Sequence, residues 1–200
     1  MRDVLAVALR AGRGSRALDR LHMSTAEEFS AWVPHAGTCP ECRFDWDQVD
    51  FDDLVGQCVS GVAVFGEALS RVDPSEAVGP GLWSASRYVW HTVDVLRFST
   101  ERLWTLGTDP AFGVPSWDEN LVAEVRSYDQ LSPVVGLVAL ISAVQIWRTA
   151  ALEAPHDAAT PHPEAGTVCA FDLVQRTAHE VRHHLWDVQR QVPGTLRPSP

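Results

Sequence analysis

Apolar residues recur three and four positions apart in four long segments of the chain, the spacing that lines them along one face of a helix. The first segment is predicted from Asp50 to Arg71, with Val55, Cys58, Val59, Val62, Phe65 and Leu69 as its stripe and Asp73-Pro74 as its stop. The second runs from Ser84, a natural N-cap, to Leu106, with Ala85, Val89, Val93, Leu96, Thr100 and Leu103 facing inward and Gly107 ending it. The third opens at Ser132-Pro133, where proline suits the first turn, and continues to Leu152. The fourth begins after Thr167 and runs to about Gln191, where Pro193-Gly194 halts it. A shorter helix is expected from Asp118 to Tyr128, after a loop broken by Pro110, Gly113 and Pro115. No stretch alternates as a strand, and residues 154–166 read as a Pro-rich loop that leaves His156 and His162 in solvent.

Four long helices with one wide connection between the second and third predict an all-α four-helix bundle over residues 50–192. Residues 1–22 read as an N-terminal extension with little structure, Met23 being a plausible alternative start. Residues 23–49 read as a short appendage containing the Cys39-Pro40-Glu41-Cys42 turn, and residues 193–200 as a frayed tail. Val4 to Leu9 is apolar but precedes Arg10, Arg13, Arg16 and Arg20, the wrong order for a secretory signal. The apolar run from Pro133 to Trp147 is interrupted by Gly136, Ser142 and Gln145 and falls short of the roughly 18–20 residues of a membrane span.

Charge narrows the partners. Sixteen basic residues, all arginine, face twenty-six acidic ones, a formal net charge of −10. That balance excludes the basic stripe of a nucleic-acid binder and electrostatic attachment to an anionic membrane. Four cysteines are too few for a disulfide scaffold at this length, and the chain is expected in the cytoplasm. Apolar faces and eight tryptophans make a homodimer the expected assembly.

The densest polar cluster lies in the fourth long helix, His179-Glu180-Val181-Arg182-His183-His184-Leu185-Trp186-Asp187-Val188. Residues four apart on a helix point the same way, so two ligand pairs exist, His179 with His183 and Glu180 with His184. At about 100° per residue, Val174, Val181, Leu185, Val188 and Val192 form the apolar stripe. His179 and His183 point almost opposite to it, while Glu180 and His184 border it. A ligand pair inside a bundle should border the apolar face, which favours Glu180 and His184. His91 sits at the edge of the second helix's stripe, so His91, Glu180 and His184 would form a two-histidine, one-carboxylate set with open positions. The alternative is a set of ordinary, partly buried polar residues.

At this point a family resemblance becomes visible. The segment SASRYVWHTVDVLRFSTERLWTL (84–106) resembles the second helix of DinB-like four-helix metalloproteins, and Glu180 to Val188 resembles their last helix. The branch most similar is that of the mycothiol-dependent maleylpyruvate isomerases and related actinobacterial DinB-like proteins, to which Ser116-Trp117-Asp118-Glu119-Asn120 also looks similar. The resemblance implies zinc ligands at His91, Glu180 and His184; other branches would place two of them at His179 and His183. It implies a divalent metal, zinc first and nickel, iron or manganese as alternatives, at one end of the bundle. It also implies a small thiol such as mycothiol, activated for transfer or isomerisation on a small electrophile. No maleylpyruvate pocket can be matched residue by residue, so the class of chemistry is implied and not that substrate. Two other readings stay open: a non-catalytic bundle for small-molecule binding or dimerisation, and a metal-dependent hydrolase or biosynthetic tailoring enzyme.

Supporting roles follow from spacing. Asp94 and Asp187 lie one turn from His91 and His184 and are expected to orient those imidazoles. Arg87 and Arg182 are candidates to hold a substrate carboxylate, and Trp90, Trp117 and Trp186 to wall the pocket. Cys39 and Cys42 are half of a structural metal knuckle, a redox pair or a plain turn, with His35 close enough to add a third ligand. Cys58 and Cys169 read as buried thiols.

Overall fold

The structure, a computed structural model, describes residues 36–77, 79 and 82–192. The expected extension over 1–22, His35 and the tail over 193–200 lie outside the described residues.

Each helix begins where a short polar side chain satisfies a free backbone N–H. Helix α1 (Phe51–Leu69) starts with Asp50 accepting the Asp53 N–H at 2.9 Å. Ser84 caps α2 (Ala85–Thr108) and Asp118 caps the short α3 (Glu119–Val125). Ser132 caps α4 (Pro133–Glu153), with proline in its first turn. Helix α5 (Ala170–Gln189) starts with the Asp172 carboxylate accepting the Cys169 N–H at 2.8 Å. Gly107 does not end α2, which runs to Thr108 before Asp109 and Pro110 break it.

Helix α2 packs on α4 and α5, and α1 packs on the same two helices, so the order around the bundle is α1, α5, α2, α4. Partners in sequence, α1 with α2 and α4 with α5, therefore lie across the diagonals. Of the stripes expected from periodicity, Val59, Leu185 and Val192 are only half-buried. Most of the rest is buried at the centre, Cys58, Phe65, Val89, Val93, Leu96, Leu103, Val174, Val181 and Val188 among them, joined by Leu54, Leu140, Trp147 and Leu173. Burying each such side chain contributes roughly 1.5–3 kcal/mol. A polar thread crosses this core: Trp147 Nε1 donates to Ser99 Oγ at 3.0 Å, and Ser99 and Thr177 share a hydrogen bond of 2.7 Å. Two close approaches need glycine. A Cβ at Gly136 would stand 2.9 Å from Val89 Cγ1, and one at Gly61 3.0 Å from Val181 Cγ1.

The Pro-rich loop before α5 is in fact a small antiparallel hairpin, β1 (Ala159–His162) with β2 (Gly166–Cys169). Thr160 and His162 are its inward residues, and the Pro161 carbonyl accepts the Val114 N–H at 2.9 Å. His162 is therefore not solvated as expected: it is 3% exposed, and its Nδ1 accepts the N–H groups of Glu164 and Ala165. His156 is exposed. Helix α4 extends past Trp147 to Glu153, and by length and composition it could cross a membrane. Within the bundle its Leu140, Val144 and Trp147 are buried, while Val134, Val135, Val138 and Ile141 face outward.

Candidate metal centre

Helices α2 and α5 pack together, and this contact brings His91 against Glu180 and His184 at the end of the bundle where α2 begins and α5 ends. One ligand atom from each lies within 4.8 Å of the other two. The Glu180 Oε2 to His184 Nε2 distance is 3.1 Å, and the His91 and His184 rings meet edge to face at 4.7 Å. His91 is buried, and its Nδ1 has no hydrogen-bond partner, an uncommon state for a buried polar atom. Three converging donors of the right types, one of them orphaned, fit a divalent ion.

The electrostatics prepare each group differently. Burial, helped by the charge of His184, pushes His91 down to about 3, so its imidazole is neutral with a lone pair to offer. Burial would lower His184 too, but its hydrogen bonds to Asp187 and Glu180 outweigh that and raise it to about 9. Burial would raise Glu180, yet the adjacent Arg176, at 2.6 Å, and His184 hold its carboxyl well below the usual range.

Asp187 lies with Oδ2 3.1 Å from His184 Nδ1 and with Oδ1 accepting from Arg190 at 2.6 Å. Trp117 stacks almost parallel on His91 at 5.5 Å. Arg87 belongs to the same end, where it lies over Trp83 and pairs with Asp129 at 3.3 Å. Other expected roles need correction. Asp94 does not orient His91: it is buried and accepts hydrogen bonds from Tyr128 and Arg126. Trp90 turns toward α4, where its Nε1 donates to the Ser132 carbonyl at 3.2 Å. Arg182 is committed to the appendage, donating from Nε to the Cys42 carbonyl at 2.8 Å. Trp186 meets His183 and Arg190.

The second histidine pair does not join His91. His179 and His183 lie on the outer side of α5 under the 36–50 segment, together with Cys39 and Cys42. That face, opposite the apolar stripe, is covered: the His179 ring meets Phe44 at 5.4 Å and Trp46 at 4.4 Å. Cys58 is fully buried, and burial pushes its thiol far above the ordinary range, which makes it inert.

Sequence reasoning passed over four neighbours of the centre. Trp83 packs edge to face on His91 at 5.3 Å, and Tyr88 lies 5.3 Å from His184. Arg176 was hidden one turn before Glu180. Glu119, at the start of α3, holds its proton more tightly than usual because its carboxyl is crowded and faces the charge of Glu180. Only the fold brings α3 here. A groove of about 380 Å³ between α2 and α4, lined by Trp104, Val135, Val138 and Ile146, contains none of the three candidate ligands.

Comparison with known proteins adds the fold. No protein-family model matches the sequence, and no curated protein sequence matches it. Among solved structures, YfiT from Bacillus subtilis is similar with a TM-score of 0.64 and 14% identity, covering 81% of this chain and 95% of its own. YfiT is described as a probable metal-dependent hydrolase with an unusual four-helix bundle topology. This chain shares that four-helix fold.

Proposed function

We propose that the chain is a metal-dependent hydrolase of the DinB-like type, with His91, Glu180 and His184 as ligands of one divalent ion. The observation that carries the reading is the convergence of these three side chains around an orphaned, neutral His91 nitrogen. The description of YfiT points to the same chemistry. A divalent ion bound there supplies Lewis acidity, lowering the pKa of a coordinated water or thiol toward neutrality. The chain's own residues do the rest. Asp187 fixes the His184 ring, and Trp117 and Trp83 shield His91 from solvent. Glu119, exposed at the start of α3 and within electrostatic reach of Glu180, is the group proposed to exchange a proton at the rim. Arg87 is the group proposed to hold an anionic part of the substrate.

A second reading is thiol-dependent transfer or isomerisation. It is favoured by the particular ligand set, because histidine, glutamate and histidine converge here, the pattern implied by the resemblance to the mycothiol-dependent branch.

The test is turnover of a panel of small esters and amides by the metal-loaded chain, with and without an added low-molecular-weight thiol. Hydrolysis without thiol, reduced roughly 10²–10⁴-fold in Glu119→Gln, supports the proposal. Turnover that strictly requires the thiol replaces it with the second reading. A His91→Ala protein with undiminished metal content and no turnover by either protein would leave only a binding bundle.

A further inference from the structure

Two histidines on the outer face of α5 and two cysteines of the segment lying over it form a set of their own. Cys39 and Cys42 sit in a tight turn: the Cys39 N–H donates to the Phe44 carbonyl at 2.8 Å, the Arg43 N–H donates to the Cys39 carbonyl at 3.1 Å, and Thr38 bridges Asp45. The turn closes through Arg43 in a left-handed conformation, φ 61°. His179 and His183 face it from one turn apart on α5. One ligand atom from each of the four lies within 4.8 Å of all the others.

We propose that Cys39, Cys42, His179 and His183 hold a second divalent ion, a zinc ion bound tetrahedrally by two thiolates and two imidazoles, which fastens the 36–50 segment to α5. Three observations carry this. Zinc–sulfur and zinc–nitrogen bonds of about 2.3 and 2.0–2.1 Å place neighbouring tetrahedral ligands about 3.3–3.8 Å apart. Cys39 Sγ is 3.8 Å from His183 Nδ1, long for a hydrogen bond and right for two ligands of one ion. Both ring nitrogens of His179 are buried without a hydrogen-bond partner among aromatic neighbours, so the ring lacks an acceptor for its proton and a donor for its lone pair. The other nitrogen of His183, Nε2, lies 3.2 Å from Glu41 Oε2, the carboxylate support that metal-bound imidazoles receive.

Four protein ligands fill the tetrahedron, so this ion is structural, in contrast to the open three-ligand set on the inner face of the same helix. Two thiolates also neutralise a divalent ion, which suits a site where both cysteines are buried. Helix α5 then carries two metal sites back to back, one reading toward the bundle and one toward the appendage. The hydrogen bonds from Arg182 to the Cys42 carbonyl and from Gln175 to the Trp46 and Gln48 carbonyls extend the same seam.

The test isolates this site by working in the full chain carrying His91→Ala. Loaded with cobalt(II), that protein is expected to bind one ion per chain with a thiolate-to-cobalt charge-transfer band, and Cys39→Ser and Cys42→Ser added together should abolish the band. Because the cysteine variant could fail to fold, X-ray absorption of the zinc-loaded His91→Ala protein gives an independent readout, with two sulfur and two nitrogen neighbours expected. A coordination shell of nitrogen and oxygen only, a Cys39–Cys42 disulfide in the freshly purified protein, or retention of the band in the variant lacking both cysteines would overturn the proposal.

Discussion

Asp187 and Asp94 each stand one helical turn from a candidate ligand histidine, and their surroundings give them opposite work. Asp187 accepts from Arg190 and sits against His184, so Asp187→Asn should weaken metal binding at the inner site about 10–100-fold, measured by competition with a chelating dye. Asp94 instead anchors Tyr128 and Arg126. Asp94→Asn should leave metal content unchanged while lowering unfolding free energy by about 1.5–3 kcal/mol in urea titrations. Spacing alone could not separate the two aspartates, because the deciding partner of Asp94 arrives from thirty-four residues away. His162 makes a third case. Burial and the charge of Arg102 lower its proton affinity, and protonation would set a ring N–H against the backbone N–H groups of Glu164 and Ala165. A group with a depressed folded-state pKa contributes its stability above the unfolded value, about 6.5, and loses it as pH falls below that. The gap in urea midpoint between wild type and His162→Gln should therefore narrow from pH 7.5 to pH 5.5; parallel midpoints would remove His162 from the pH response.

At the scale of elements, α1, α2 and α5 were readable from periodic stripes and α4 from its long apolar run, with conventional caps at Asp50, Ser84 and Ser132. The hairpin β1–β2 was not readable. Its inward residues are Thr160 and His162 on β1 and Val168 on β2, one apolar side chain among them, and prolines at 161 and 163 disguise it as a loop. Periodicity also separated the two faces of α5, placing His179 and His183 opposite the apolar stripe, but nothing in a helical pattern announces that Phe44 and Trp46 will cover that face. Glu119 escaped for the same reason: a short helix in a connecting segment shows no sign of where it docks. Contacts between elements carry their own prediction. Gly136 lets α4 approach α2 so closely that Gly136→Ala would press on Val89 and Trp90. The substitution should cost about 1–3 kcal/mol despite alanine's better helix propensity, read as a lowered denaturant midpoint.

For the whole molecule, composition and helix count indicated a bundle, yet which helices lie on the diagonals could not be read, because four amphipathic stripes satisfy several arrangements equally. The observed order α1, α5, α2, α4 is what sets α2 beside α5 and lets residues eighty-nine positions apart, His91 and Glu180, share one centre. Metal binding to the folded chain alone should stabilise it by about 2.7 kcal/mol when the free ion is at a hundred times its Kd. Chelation is therefore expected to lower the thermal midpoint of wild type and to leave a variant combining His91→Ala with Cys39→Ser and Cys42→Ser unmoved. The central claim, that His91, Glu180 and His184 hold a divalent ion, is tested most directly by an anomalous-difference map from crystals of the metal-loaded protein. The account predicts a peak at about 2.0–2.2 Å from a ligand atom of each of the three side chains. Density with no peak between them, while a metal appears elsewhere in the molecule, would contradict it.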